Sequence, residues 1–577
     1  MSGYLINISI GPVQPFIAAA RRTRDLWFGS RLLSEICMET ARSVRENGGV
    51  LIFPQKDSLN VSDGRDPNVA NVILAELPNG DPKEVVRQAR EKALSVLKGY
   101  GDQVLGEYGE LVNRDFWDDQ IEQALEFFSV WVPYDGKSNY KDARDKVGRL
   151  MGARKNCRDF YQPGDPDKRQ VEKSSLDGRN ESVFKDRQLV EKVLKSDISK
   201  RLTLRLKSSE QLDALGLIKR VASPIDDSKK TFLSVDDFAA SSWIEKAKRL
   251  APEEYGKFEE ALSKVKGLLQ GEAAFPSRIL ELQDEMKEDL SEIKECREKL
   301  AKKIGEPNPY FAILKADGDK MGAAISSIND PEGHRVFSSD LAGFANEAHK
   351  ILNKKDKERV IKRCIYAGGD DVLAFLPLDS CIECAKALAE AFEKSFEKSR
   401  GYFPSDRAPS LSVGIAVGHF LEPLEDLLRF ADEAETLAKE PDRNGLAVVV
   451  RSRGNAPIAF RERWDQYRGG SPVDVRLRCW AELFEDETIS SRFPYELRSM
   501  VDFYRNWKDS KILEKAIPAD IKRVLGKKRF PDGTLKPMDE VLEKRIESVT
   551  SVEKLESLVS ELLIARHLGT GQEEDRS

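Results

Sequence analysis

Histidine is scarce in this chain, with four in 577 residues, at positions 334, 349, 419 and 567. None is followed by aspartate, so a nuclease centre of the His-Asp kind, or any histidine-rich metal site, has nothing to be built from. The seven cysteines (37, 157, 296, 364, 381, 384 and 479) are scattered and odd in number, which fits a reducing compartment better than a disulfide framework. Cys381 and Cys384 form a lone C-x-x-C with no second pair, so no zinc is expected there. A G-x-x-x-x-G-K-[ST] loop is missing, which disfavours ATPase motor chemistry. No apolar stretch approaches the ~20 residues needed to span a bilayer. Met1-Ser2-Gly3 does not open the basic and then apolar run of a signal peptide. The expectation is a cytoplasmic protein without membrane contact. A basic surplus is lacking too: 93 Lys and Arg stand against 99 Asp and Glu, a net charge of −6. That argues against a free-standing nucleic-acid binder, but not against local basic patches or partners that bring nucleic acid along.

What is present is enough apolar content, 40% of residues, for several cores, in a length that suggests about three or four domains. The pattern predicts an α+β chain with two ferredoxin-like folds of order β-α-β-β-α-β. The first, residues 1–140, opens with a strand at Tyr4–Ser9 and a break at Gly11-Pro12. One long helix over 13–44 follows, then strands at 50–54 and 71–77, a helix from Pro82 and an aromatic strand at 126–134. The second, residues 305–455, has strands at 310–316, 360–367, 372–376 and 410–418, with helices near 337–352 and 380–399. An added helix (423–439) and strand (445–451) close it. Between them, residues 141–304 read as a mixed, loop-rich segment ending in a charged, solvated helical pair. Residues 456–577 read as a helical domain with a polar tail.

The chemistry is expected at two acidic motifs on strand ends. Asp317-Gly318-Asp319 ends the first strand of the second fold, and Gly368-Gly369-Asp370-Asp371 forms a hairpin tip. In a ferredoxin-like sheet the first and third strands are neighbours, so Asp317 and Asp370 converge. Paired carboxylates suit Mg²⁺ or Mn²⁺, and two such ions about 3.5–4 Å apart stabilise the attacking and leaving oxygens of phosphoryl transfer. The glycines permit a tight turn and close backbone approach to a ligand. Against this stands the plain reading that Gly-Gly-Asp-Asp is only a turn; the second acidic motif on the neighbouring strand weighs against it. Lys439, ending a helix, is placed to meet a triphosphate or to satisfy the helix dipole. His419 reads as structural. The run Arg21-Arg22-Thr23-Arg24 is either a phosphate or RNA contact or a solvated face. The first fold shows no paired-acid tip, and reads as a degenerate partner facing the nucleotide site.

Together these residues resemble a known family. Ile8-Ser9-Ile10-Gly11-Pro12-Val13-Gln14, the segment Arg21–Ser30, Leu212–Gly216 with Lys219-Arg220, Ala316–Gly322, Tyr366–Pro377, Ser412–Ala416, Ala438-Lys439 and Arg443-Asn444 are similar to the Palm-type large subunit of type III CRISPR effector complexes, of the Cmr type. The resemblance covers nearly the whole chain. It implies a subunit that binds the other Cmr proteins and a CRISPR RNA. Target RNA would switch on conversion of ATP to cyclic oligoadenylate. It implies Asp317, Asp370 and Asp371 as catalytic metal ligands for two Mg²⁺ or Mn²⁺ ions, and Gly318, Asp319, Gly368, Gly369 and Lys439 as nucleotide contacts. Some relatives use S-adenosylmethionine as the acceptor, and a purely structural subunit with a vestigial site is the other alternative. Two departures stand out. The HD nuclease domain that opens many members has no counterpart here, so DNA cleavage by it is not expected. Lys173–Gly178 carries serine and aspartate where many members have zinc-binding cysteines, so no zinc is expected.

Overall fold

The structure is a computed structural model that describes residues 3–60, 67–136, 139–157, 172–207, 209–222, 230–265, 268, 270–286, 289–356, 359–454, 456–507, 509–526 and 540–569. The chain divides into two compact units. One comprises Met1–Phe232, Lys320–Val372 and Ala391–Pro409; the other comprises Leu233–Asp319, Leu373–Glu390 and Ser410–Ser577. The polar tail from 570 lies outside the described residues.

In the first unit, strands β1 (Tyr4–Gly11), β2 (Val50–Phe53), β3 (Val72–Leu77) and β4 (Glu126–Pro133) form a sheet in the order β2-β3-β1-β4. Every neighbouring pair is antiparallel, with Ile6 opposite Ala75 on one side and Trp131 on the other. This is the strand order that β-α-β-β-α-β connectivity produces when both crossovers are helical, as expected. Leu5, Ile6, Ile8 and Ile10 of β1 are all buried, as befits a central strand. The first helix departs from expectation. It is two pieces, Gln14–Ala18 and Thr23–Glu46, broken at 19–22. The break is held from far along the chain: Lys219, 1% exposed, donates from Nζ to the carbonyls of Phe16 (2.8 Å) and Ala19.

Two more elements of this unit were not foreseen. A helix at Arg114–Gln123 precedes β4. Three short strands, β5 (Lys230–Phe232), β7 (Lys354–Asp356) and β8 (Arg359–Lys362), make a small sheet in the order β5-β8-β7, so the single strand expected over 360–367 is divided, its first part in this sheet and its second in another. The span expected to be loop-rich is largely helical where described, with helices at Tyr140–Asn156, Arg187–Ser196, Ile198–Leu204 and Ala214–Val221. The turn at 173–182 is tied to the last of these by Asp213. Its carboxylate caps the helix at Gly216 N (2.9 Å) and accepts from Asn180 Nδ2 (3.1 Å).

The second ferredoxin-like sheet is built from β6 (Tyr310–Asp319), β9 (Cys364–Gly368), β10 (Asp371–Leu376), β11 (Ser410–His419), β12 (Gly445–Val450) and β13 (Ile458–Arg463). Its order is β13-β12-β11-β6-β10-β9. The run β11-β6-β10-β9 repeats the order of the first sheet. β12 pairs parallel with β11 through the crossover helix Leu424–Lys439, and β13 adds antiparallel beyond it. β13 was not anticipated: residues read as the start of a helical region instead extend this sheet. All six residues of β12 are buried, as parallel strands covered on both faces require.

In the second unit, the charged stretch after 252 is not a solvated pair. It folds as four helices, Pro252–Ser263, Gln270–Ala274, Pro276–Met286 and Ser291–Ile304, with Tyr255, Phe258, Ile279 and Leu300 buried. From Val473 the chain is helical where described. That region packs around Glu561, fully buried and paired to both Arg476 (3.0 Å) and Arg545 (2.9 Å). Among the described residues no helix is long and apolar enough to cross a membrane.

Candidate active site

Asp317-Gly318-Asp319 ends its strand, as the last three residues of β6 itself. β6 continues to Asp319, in antiparallel register with β11, so that Asp317 faces Ser412 and Asp319 faces Ser410. Alternation along a strand puts Lys315, Asp317 and Asp319 on one face and Gly318 on the other; Gly318 is buried opposite Leu411.

That face meets the helix Leu424–Lys439 in a row of alternating charge. Lys439 Nζ lies 2.6 Å from Asp317 Oδ2 and 2.5 Å from Glu435 Oε1. Lys315 Nζ lies 3.1 Å from Glu435 Oε2 and also pairs with Asp432. Asp317 and Lys439 are both about one-quarter exposed at the side chain, and Glu435 is 12% exposed. Burial works against the Lys439 ammonium, but its hydrogen bonds to Asp317 and Glu435 outweigh this and hold its pKa above the usual lysine value. The helix sits this close because β11 carries glycine at 414. A Cβ there would come within 2.1 Å of Glu435 N and 2.3 Å of Ala434 C.

Asp319, expected beside the nucleotide, is turned inward. It is 1% exposed, and its carboxylate accepts from Ser410 Oγ (2.9 Å), Ser412 Oγ (2.8 Å) and the backbone N–H of Asn444 (3.0 Å). Its acceptor capacity is spent on its own chain, and what it positions is the turn after Lys439. Arg443 and Asn444 there both take left-handed conformations, with φ of 59° and 50°. Non-glycine residues hold such angles only where surrounding bonds fix them.

The Gly368–Asp371 tip is a two-residue hairpin loop between β9 and β10. Gly369 has φ +80°, while Asp370 is not left-handed. That is the pattern of a II′ turn, in which glycine takes the first central position. Gly368 is required for a different reason: a Cβ would fall 1.9 Å from the hydroxyl of Tyr366, which packs under the tip and donates to Gly368 O (3.3 Å). Burial first, then the charges of Asp371 and Asp370, keep the Tyr366 hydroxyl protonated far above its usual range. Asp370 and Asp371 are both partly exposed.

Beside β9, still within the first unit, lies a concavity that the sequence reading did not find. Trp27, Ser30, Arg31 and Ser34 line it from one face of the helix Thr23–Glu46, with Asn68 and Tyr366 among the other walls. Their spacing of three, one and three residues is the signal that marked this face. The Arg21–Arg24 run divides: Arg21 is exposed and reaches Ser175 O (3.0 Å), whereas Arg22 turns inward onto Arg205 O, with burial lowering its pKa to about 10. Asp25 is taken by Arg220 (2.6 Å), which also pairs with Glu210 (3.0 Å), so these matching positions act as scaffold. His419 is structural: it accepts from Leu421 N (3.1 Å) and packs on Tyr310.

The donors at the acidic positions are carboxylate oxygens, which suit a hard cation. Among the described residues no group of three or more acidic, histidine or cysteine side chains is gathered closely enough to hold an ion. At Asp317 the place of a cation is filled by the Lys439 ammonium.

The six-stranded sheet carries both acidic motifs in the part of the chain that matches a palm-domain model. Residues 310–447 match the model of the Cas10/Cmr2 second palm domain, and residues 5–100 match that of the N-terminal region of the CRISPR-associated protein Cmr2. A CRISPR system Cmr subunit Cmr2 from Pyrococcus furiosus is 26% identical, over 86% of this chain and 67% of that protein. Two cryo-EM structures share the fold at 15% identity: type III-B Cmr-beta in the apo state (TM-score 0.62; 94% of this chain, 79% of that one) and bound to cognate target RNA (0.63; 94% and 80%). The chain is thus similar to Cas10/Cmr2 proteins in its N-terminal region and in its second palm region.

Proposed function

We propose that this chain is the nucleotidyl-transferase subunit of an RNA-guided type III-B complex. In assembly with other Cmr proteins, CRISPR RNA and target RNA, it joins ATP-derived nucleotides into cyclic oligoadenylate. The observation that carries this reading is the pairing of Asp317 with Lys439 at the outer part of β6, the strand that neighbours β10 and so the Gly-Gly-Asp-Asp hairpin. An acid and a base of that kind, half-buried and on rigid elements, suit a site that must take both cations and phosphates.

Asp317, Asp370 and Asp371 would hold two divalent cations. Bound there, these supply positive charge to the attacking 3′-hydroxyl oxygen and to the leaving pyrophosphate. Lys439 neutralises triphosphate charge as a point cation. Gly368 and Gly369 let the hairpin backbone approach the nucleotide, and Tyr366 holds that backbone from beneath. Asp319 fixes the turn that carries the chain on from Lys439. The 3′-hydroxyl of one ATP attacks the α-phosphorus of another; the P–O bond to pyrophosphate breaks as the new phosphodiester forms, and the hydroxyl proton leaves to solvent.

The test is the reconstituted complex incubated with labelled ATP and target RNA, with and without S-adenosylmethionine, and its products resolved by mass. Oligoadenylate is the expected product, and Asp370→Ala with Asp371→Ala should abolish it while leaving RNA binding and assembly intact. An adenylylated S-adenosylmethionine product would move the assignment to AMP transfer, and no product from either mixture would leave a structural subunit with a vestigial site.

A further inference from the structure

Lys439 is the last residue of its helix, so its aim depends on what holds the turn that follows. In that turn Arg443 and Asn444 are both left-handed, strained angles for residues that carry a side chain. The turn is tied directly to the lysine, because Arg443 N donates to Lys439 O (2.9 Å). Asp319 grips it from β6 at Asn444 N (3.0 Å). The second grip comes from the edge strand β13. Arg461 Nη2 donates to Arg443 O (3.0 Å) and to the Asp442 carboxylate, and lies 3.5 Å from Ala438 O. Arg463 Nη1 donates to Asp442 O (2.9 Å), while its other nitrogens are taken by Asp465. Trp464 N closes the set on Asn444 O (2.9 Å). The Arg461 guanidinium reaches the helix end because β12 begins with glycine. A Cβ at Gly445 would stand 3.0 Å from its Nε and Nη2 and 2.4 Å from Ala438 O. The strand is braced from its opposite face, where the Glu462 carboxylate is fully buried and accepts from Arg476 (2.8 Å).

The Arg461 side chain is 15% exposed and its Nη2 is spent on its own chain, so it is built to hold backbone and not to meet a ligand. Its charge also suits the C-terminal end of a helix dipole. We propose that Arg461 is a positioning residue for the nucleotide site: acting from β13, it fixes the turn after Lys439 and so holds the backbone from which the lysine reaches phosphate. This rests on the reading of Lys439 as a phosphate contact, and no metal ion enters it. Without the guanidinium, Arg443 O and the Asp442 carboxylate lose a donor, and the strained turn relaxes. The lysine then keeps its charge but loses its fixed origin. An ammonium that wanders must be ordered again when nucleotide binds, and affinity falls by that cost.

The experiment uses the assembled complex with target RNA, and labelled ATP is titrated to give both Kd and the number of sites. Arg461→Met should raise Kd about 3- to 10-fold with the number of sites unchanged, the scale of lost charge-assisted hydrogen bonds. In the Lys439→Met background the same substitution should change Kd by less than about 2-fold, because Arg461 acts through the lysine. Fewer sites at wild-type Kd would mean that Arg461 serves stability alone. Equal weakening in both backgrounds would mean that it meets the nucleotide itself. Either result overturns the proposal, as does an unchanged Kd. Asp442→Ala removes the partner on the turn, outside the sheet, and carries the same test if Arg461→Met does not fold. Its expected rise in Kd is about 2- to 3-fold, again only where Lys439 is present. Lys439→Met alone separates this from the reading beneath it: if it binds ATP like the wild type, Lys439 is no phosphate contact and that assignment fails, whatever Arg461 does.

Discussion

Gly414→Ala should do more damage than its single methyl group suggests. The new Cβ would stand 2.1 Å from Glu435 N, 2.3 Å from Ala434 C and 2.6 Å from Glu435 Cα, all backbone atoms of one helix. Ordinary contact begins at 3.4 Å, so the helix Leu424–Lys439 must back away by roughly 1 Å or more, since no rotamer change relieves a backbone clash. Overpacking of this kind costs about 1–3 kcal/mol, which should lower the melting temperature of the unfolding transition by roughly 2–10 °C. The same displacement carries Glu435 and Lys439 away from β6 and opens the 2.6 Å contact with Asp317. Product formation should therefore fall further than stability alone accounts for. Gly418, four residues on in the same strand, supplies the control. A Cβ there meets only the Leu427 side chain, with Cδ2 at 2.4 Å, and a leucine tip can rotate aside. Gly418→Ala should cost under about 1 kcal/mol and leave product formation near wild type. Differential scanning calorimetry and labelled-ATP turnover in the assembled complex, run on both variants, check this. Equal effects at the two glycines would refute the argument from close approach.

Three further outcomes are expected. Asp319→Asn should lower the urea midpoint by an amount equal to about 1–3 kcal/mol, because the buried bonds from Ser410, Ser412 and the Asn444 amide lose their charged acceptor and the amide N–H₂ faces Ser412 on the other side. Unchanged stability with lost activity would instead place Asp319 at the nucleotide. Lys219→Met leaves the Phe16 and Ala19 carbonyls without their donor, and limited proteolysis should then cut between 16 and 22 faster than in the wild type. Burial raises the Asp236 carboxyl to about 7, with the nearby Arg278 charge only partly opposing it. The folded state thus keeps this proton to higher pH than the unfolded chain does, and its contribution to stability is lost as pH rises between about 4 and 7. Urea midpoints at pH 5 and pH 8 should show that loss, and Asp236→Asn should shrink it.

The two sheets were legible because apolar period and turn residues are local signals. β1 reads as a strand from Leu5 to Ile10 on its own, and Gly369 announces the tight hairpin. Asp317 and the tip stood out in the sequence because acids beside glycine mark strand ends and tight turns, and the structure places both at such points. What escaped detection depends on residues far apart in sequence. Residues 19–22 carry Ala19-Ala20-Arg21-Arg22, a good helical sequence, and only Lys219 shows why the helix stops. Asp317 and Asp319 look equivalent two residues apart. Their difference lies in Ser410 and Ser412, which strand pairing brings to one and Lys439 takes up at the other. Strand β13 was hidden because an edge strand half-covered by helices alternates weakly. Glu435 carries no signal of its own in the sequence, and only its pairing with Lys315 and Lys439 sets it apart from the other acids of its helix.

The row of charges between β6 and the helix Leu424–Lys439 works like a zip. Asp432, Lys315, Glu435, Lys439 and Asp317 alternate in sign, so none of the acids along this half-dry seam has to be kept ionised alone, which would cost much. Strand and helix are thereby registered by charge where Gly414 lets their backbones come close, and a change at any one tooth of the zip is felt at its neighbours.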